Sequence, residues 1–257
     1  MGKVIAVFNQ KGGVGKTTTA VNLSACLALK GLRVLLMDMD PQANATSGVG
    51  IEKSQISVSL YELLIDPEAD PLGAVCETEI PGLSVIPANI DLAGSEIELA
   101  GYPEREGFLK RVTELLKDHF DYMLIDCPPT LGLLSLNALT AADSVLIPIQ
   151  CEYYALEGVS ELIRTVELVK NSLNPHLSIQ GIVLVMYDGR TNLSVQVVEE
   201  VKRFFKDKVY TSIIPRNVRL AEAPSYGLPV ALYDPRSRGT EAYMDLADEF
   251  LEMEALS

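Results

Sequence analysis

Residues 4–18 read Val4-Ile5-Ala6-Val7-Phe8-Asn9-Gln10-Lys11-Gly12-Gly13-Val14-Gly15-Lys16-Thr17-Thr18, an apolar β-branched run followed by a glycine-rich turn with two lysines and two threonines. A short apolar run bounded by such a turn fits a buried strand. After it, Ala20, Leu23, Ala25, Leu27 and Ala28 recur within a helical stretch over 17–30, and Gly31 supplies a stop. Strand, glycine turn and helix in that order build a phosphate-binding loop. Backbone N–H groups form a concave anion site, the lysine reaches the terminal phosphates, and the hydroxyl ligates Mg²⁺. The helix N-terminus adds its partial positive charge. Gly15-Lys16-Thr17 match the end of the ordinary pattern G-x-x-x-x-G-K-[ST], but Gln10 stands in place of its first glycine, and Lys11 precedes Gly12-Gly13.

Two further strand ends carry carboxylates. Tyr122-Met123-Leu124-Ile125 ends in Asp126, followed by Cys127-Pro128-Pro129. An acidic residue there can hold Mg²⁺, usually through water, or can simply form a turn. Beside a phosphate loop the metal reading is the stronger one. Leu35-Leu36-Met37 delivers Asp38 and Asp40 at i and i+2, so both point the same way if the chain stays extended. Asp40 is a candidate to orient or deprotonate water, and Asp38 is either an indirect support for the metal or a loop cap.

Apolar runs at 4–8, 34–37, 83–86, 122–125, 145–149, 179–185 and 209–214 alternate with helical patterns near 17–30, 105–118, 133–141, 156–173, 192–206 and 238–254. Uninterrupted apolar strands suit a mostly parallel, twisted sheet covered by helices on both faces. The irregular stretch from Asp40 to Pro81 is expected to hold loops and short helices near the ligand, since such sheets bind at the carboxyl ends of their strands. With 257 residues, 48% hydrophobic, one domain spanning 1–257 is expected. No apolar run approaches a membrane span, and Met1-Gly2-Lys3 leads straight into a strand, so a cytoplasmic protein is expected. Cys26, Cys76, Cys127 and Cys151 form no C-x-x-C pair and read as reduced thiols, and His119 and His176 read as surface residues. Catalysis is left to carboxylates, lysines and metal.

The net charge of −14 opposes general attraction to nucleic acid. From Met186 to Arg219, however, seven basic residues (Arg190, Lys202, Arg203, Lys206, Lys208, Arg216, Arg219) outnumber four acidic ones. Such a segment is either an anion-binding surface or a solvated face with its own ion pairs.

Taken together, Lys11-Gly12-Gly13-Val14-Gly15-Lys16-Thr17, Asp38-Met39-Asp40-Pro41-Gln42, Asp126-Cys127-Pro128-Pro129, Asn192 after Gly189-Arg190-Thr191, and the run from Ile214-Pro215-Arg216-Asn217 to Arg219-Leu220-Ala221-Glu222-Ala223-Pro224-Ser225 resemble the ParA-type partitioning ATPases of the small, Soj-like kind. The resemblance covers essentially the whole chain. It implies a P-loop NTPase fold with a deviant Walker A loop, and an ATP- and Mg²⁺-dependent homodimer that binds double-stranded DNA without sequence preference. A ParB-type protein would stimulate hydrolysis and release the dimer, which would be nucleoid-associated. By the same resemblance Gly12, Gly13, Val14, Gly15, Lys16, Thr17 and Thr18 hold the nucleotide. Lys16 binds the phosphates of its own protomer, Thr17 the metal, and Lys11 crosses to the partner's nucleotide. Gly12 lies where the two nucleotides approach, Pro215, Arg216 and Asn217 border the adenine, and Arg190 and Arg219, with Lys202, Arg203 and Lys206 behind them, contact DNA. The first strand starts at residue 3, so the DNA-reading extension of larger plasmid members is not expected. A MinD-like membrane ATPase would need a basic amphipathic C-terminal helix, whereas residues 240–257 carry six acidic residues and no lysine or arginine. An iron–sulfur reductase would need a partner for Cys127. A relative that positions another cargo on the nucleoid shares the same chemistry.

Overall fold

The computed structural model describes residues 2–152 and 155–256. Its sheet has seven strands: β1 (Lys3–Val7), β2 (Val34–Asp38), β3 (Cys76–Glu77), β4 (Leu83–Ile86), β5 (Tyr122–Asp126), β6 (Ser144–Gln150) and β7 (Ser178–Val185). The order is β3-β4-β2-β5-β1-β6-β7, parallel except where β3 pairs antiparallel with β4 at the edge.

Along the central strands the period-2 alternation sends apolar residues into two cores. Val4 and Ala6 of β1, Leu35 and Met37 of β2, and Met123 and Ile125 of β5 enter one; Ile5, Val7, Val34, Leu36 and Leu124 enter the other. A strand apolar on both faces must be covered on both. The first core is closed by α3 (Leu60–Ile65), α4 (Leu92–Glu98), α5 (Phe108–Leu116), α6 (Leu133–Ala141), α7 (Ala155–Ser172) and α8 (Asn192–Phe205). The second is closed by α1 (Lys16–Leu29), α2 (Asn44–Gly48), α9 (Val218–Glu222), α10 (Val230–Tyr233) and α11 (Arg238–Ala255). The apolar side of α11, with Tyr243, Leu246 and Phe250 fully buried, is spent on this core rather than left outside.

The expected helices form within about three residues of their predicted limits, and the 40–81 stretch holds α2, α3 and β3 among loops. The run Val209–Ile214 is not a strand. It touches β7 only through isolated contacts, with Tyr210 N–H donating to Ile182 O at 3.0 Å and Ile214 N–H to Leu184 O at 2.9 Å. The cause lies between those points: the N–H groups of Thr211 and Ser212 donate to the Glu249 carboxylate of α11 at 2.6 and 2.8 Å. A side chain has taken donors that a ladder would need. The Tyr210 ring instead lies over Gly181 of β7, where any Cβ would collide with it. Gly181→Ala is therefore expected to lower stability by about 1–3 kcal/mol, as overpacking of a filled core does, read as a lower midpoint in urea unfolding with an unchanged slope.

Candidate functional site

Because β1 lies between β5 and β6, the loop leaving it opens at the carboxyl edge of the sheet beside the ends of both strands. The loop is fastened at its entrance. The buried Asn9 amide donates to Pro148 O at 2.8 Å, its Oδ1 accepts from Lys11 N–H at 3.0 Å, and Gln10 Nε2 donates to Thr165 Oγ1 on α7 at 2.8 Å. Gly13 (φ 73°) and Gly15 (φ 79°) adopt the left-handed conformation that side chains resist, which turns the intervening N–H groups inward. Gly15 caps α1 with no side-chain bond to the helix, so the first N–H groups of a 14-residue helix face the loop.

The two lysines part company here. Lys16 is buried and its ammonium donates to Lys11 O at 3.1 Å. Burial pushes its pKa down, opposed by the charges of Asp126 and Asp40. Lys11 is exposed, and its ammonium has no hydrogen bond or ion pair among the described residues. Gly12 is exposed beside it, and an added Cβ would meet only the Pro129 side chain at 4.0 Å.

Three carboxyl groups gather beside the loop: Asp38 at the end of β2, Asp40 two residues beyond it, and Asp126 at the end of β5. Asp126 is fully buried, and among the described residues neither of its oxygens makes a hydrogen bond of normal geometry. Burial, and then the neighbouring Asp38 charge, hold its pKa well above the carboxylate range, with Thr17 and Lys16 pulling the other way. A buried anion this short of donors, next to a threonine at the mouth of a phosphate loop, fits a hard cation such as Mg²⁺. Asp38 sits directly across from Asp126 in the β2–β5 register, yet its oxygens are occupied. They accept from Thr46 N–H and Thr46 Oγ1, both at 2.7 Å, and from Asp40 N–H at 3.2 Å, while Thr46 Oγ1 accepts from Ala88 N–H at 3.0 Å. Of the two readings of Asp38, this geometry matches the loop cap. Burial still lifts its pKa to about 6. Asp40 is half-buried and accepts Gln42 N–H at 2.9 Å, in a tight turn that Ala43 completes at φ 54°.

A second recess of about 230 Å³ adjoins the loop, lined by Gly15 and Thr18, by Val185 and Met186 after β7, by Pro215, Arg216 and Asn217, and by Leu220, Ala221 and Tyr243. Its mostly apolar lining, with a few polar groups, suits a planar aromatic group next to the anion site. Pro215, Arg216 and Asn217, expected beside an adenine, all line this recess. Val185, Met186, Leu220 and Tyr243 carry no local signal, since β7, α9 and α11 meet only on folding.

The basic segment divides. Tyr187 bridges Pro215, which brings Arg190 and Arg216 to one rim. Hydrogen bonds from Arg190, and then the Arg216 charge, lower the Asp188 pKa to about 2. Arg190 Nη2 lies 2.6 Å from Asp188, Arg219 lies 2.8 Å from Glu222 and 3.2 Å from Asp234, and Arg216 lies 3.6 Å from Glu152. Lys202 and Arg203 are exposed near the C-terminal end of α8 and Lys206 just past it, about 15 Å or more along the helix axis from its first residue, Asn192. They do not join that rim.

A protein-family model described as an AAA domain matches residues 2–179. Over 249 residues the chain is 61% identical to the sporulation initiation inhibitor protein Soj of Bacillus subtilis (strain 168), covering 97% of this chain and 98% of Soj. It is 52% identical to the chromosome partitioning protein ParA of Caulobacter vibrioides (strain NA1000 / CB15N), over 98% of this chain and 95% of that one. Among solved structures, cobyrinic acid a,c-diamide synthase from Mycobacterium smegmatis with bound ADP and magnesium superposes with a TM-score of 0.86 at 39% identity, over 99% of this chain and 96% of that one. The Pyrococcus furiosus cell division ATPase MinD superposes with a TM-score of 0.81 at 30% identity, over 100% of both chains.

Without metal, the raised pKa of Asp126 means that the folded protein binds a proton there which the unfolded chain gives up near pH 4. That contribution to stability is present at low pH and is lost as pH rises. Asp126→Asn should therefore raise the melting temperature in chelator, by an amount that grows between about pH 4 and 7, and should remove the stabilisation that Mg²⁺ and nucleotide give the parent. Calorimetry across that pH range checks both.

Proposed function

The chain belongs to the Soj/ParA family of chromosome-partitioning ATPases, and we propose that it operates as a switch in which ATP closes two copies into a DNA-binding dimer. It is an ATPase that uses ATP and Mg²⁺, and proteins of this family are generally dimeric. The observation that carries the dimer reading is the separation of the loop's two lysines: Lys16 is buried against the loop, whereas Lys11 stands in solvent with no partner among the described residues. A cation left free at the mouth of an anion site is placed to reach a second molecule's phosphates. Gly12 supports the same reading, since little in its own protomer excludes a side chain there.

In this reading Lys16, the N–H groups of Gly13, Val14, Gly15, Thr17 and Thr18, and the α1 N-terminus bind the phosphates. Pro215, Arg216 and Asn217 flank the base. Thr17 would hold Mg²⁺ directly and Asp126 through water, and the metal would neutralise phosphate charge there. Asp40, carried on a turn that Asp38 and Thr46 secure, orients the attacking water. Lys11 enters the partner's site, where its charge offsets the negative charge that builds on the phosphate oxygens as the bond breaks, so hydrolysis waits for assembly. Arg190 and Arg219 from both protomers then face the DNA backbone, a ParB-type protein stimulates turnover, and the dimer resides on the nucleoid within the cytoplasm. No helix among the described residues is long and apolar enough to cross a membrane.

Sedimentation with and without ATP, Mg²⁺ and duplex DNA tests the switch. Lys16→Ala is expected to lose nucleotide-dependent assembly, and Asp40→Ala to assemble and persist as an ATP-bound dimer with turnover reduced by at least about 100-fold, as loss of a group that activates water entails. Turnover of Asp40→Ala at the parent rate would remove Asp40 from catalysis.

Arg190→Ala and Arg219→Ala should each keep assembly but weaken DNA binding. Each substitution withdraws one phosphate-neutralising charge from each protomer, which should flatten the slope of log affinity against log salt by about 1.8 for the dimer. An unchanged slope would exclude that arginine from the DNA surface.

A further inference from the structure

In the ordinary loop the position five residues before the second glycine carries no side chain, whereas here it carries Gln10. Gln10 Nε2 donates at 2.8 Å to Thr165 Oγ1 on α7, a residue 155 positions away. The Thr165 hydroxyl proton is already committed to Glu161 O at 3.1 Å, one turn back, so the oxygen facing Gln10 can only accept. Thr165 is buried and Gln10 half-buried, so the bond is partly shielded from water. On one side of Gln10, Asn9 is buried and tied to β6 through Pro148 O at 2.8 Å. On the other side, Lys11 is exposed.

We propose that Gln10 is a positioning residue for Lys11: by fastening the loop entrance to α7, it sets the direction in which the Lys11 side chain leaves the protein. The inference rests on the reading of Lys11 as the residue that crosses to a second copy. The phosphate-holding half of the loop does not depend on Gln10, because Gly15 starts α1, Thr19 N–H donates to Gly15 O at 2.8 Å, and Lys16 is packed. Lys11 is followed by two glycines, which restrain it little, and beyond its backbone bonds to Asn9 Oδ1 at 3.0 Å and to the Lys16 ammonium at 3.1 Å the Gln10–Thr165 bond is the tie that joins this entrance to α7. Without the Gln10–Thr165 bond the Lys11 ammonium samples more directions, and ordering it against a partner then costs additional entropy. The loss should fall on assembly and leave nucleotide binding to the single protomer intact.

The test uses the full chain with Mg²⁺ and a non-hydrolysable ATP analogue. Nucleotide affinity is measured by a fluorescent analogue at protein concentrations below assembly, and self-association by sedimentation equilibrium. Gln10→Ala and Thr165→Val should each weaken self-association about tenfold, since every dimer contains two such latches, with nucleotide affinity within about twofold of the parent. The double variant should be no worse than either single one, because both remove the same bond. Thr165→Ser, which keeps the hydroxyl, should behave as the parent. Lys11→Ala should abolish nucleotide-dependent association. If Lys11→Ala does so while Gln10→Ala and Thr165→Val associate normally, or if their losses add, or if nucleotide affinity falls in parallel with association, the positioning role is overturned. Normal association of Lys11→Ala instead removes the reading of Lys11 in trans, and with it this inference. Should Gln10→Ala fail to fold, the comparison of Thr165→Val with Thr165→Ser decides.

Discussion

Asp126 is a carboxyl group buried at the end of the central sheet with no well-formed hydrogen bond to either oxygen among the described residues, and ionising it there costs several kcal/mol unless another charge answers it. The surrounding architecture can be read as an incomplete answer. Lys16 is buried on the opposite wall, Asp38 is held off by bonds to Thr46 and Asp40, and the α1 N-terminus faces the loop. Three carboxylates and one buried ammonium leave an imbalance that a divalent cation with a polyanionic ligand would close. A site of this kind is poised to respond to nucleotide and metal together, since each lowers the cost of admitting the other.

The same economy of charge shapes the outer rim. On a chain of net charge −14, the arginines of residues 186–219 are not bare: Arg190, Arg216 and Arg219 each lie against a carboxylate of the same protomer. Exposed pairs of this type are weak, roughly 0–1 kcal/mol, so phosphates can displace the carboxylates when several arginines engage at once. Such a surface rewards two patches acting together over one patch alone, which suits an interaction gated by assembly.

Much of the fold could be read along the chain, because its parallel strands are apolar on both faces and their runs are unbroken. Val4 to Phe8, Val34 to Met37 and Tyr122 to Ile125 mark strands within one residue at each end. The failures have local causes. Val209 to Ile214 has a strand's composition, but Glu249, far away in sequence, takes its donors. The two-residue β3 owes its pairing to its neighbour β4 rather than to any pattern of its own.

Sequence spacing alone was sufficient for the phosphate loop, since its chemistry is made by adjacent residues: left-handed glycines, a lysine, a hydroxyl and the helix that follows. It was equally sufficient to place Asp126 at a strand end. It could not say that Asp38 would be consumed by Thr46, that Tyr243 and Leu220 would wall the recess beside the loop, or that Gln10 would reach Thr165. Those outcomes depend on which strands lie side by side and which helix covers which face. Such choices are made by burial of apolar surface summed over the whole sheet, a quantity that no short segment of the chain contains.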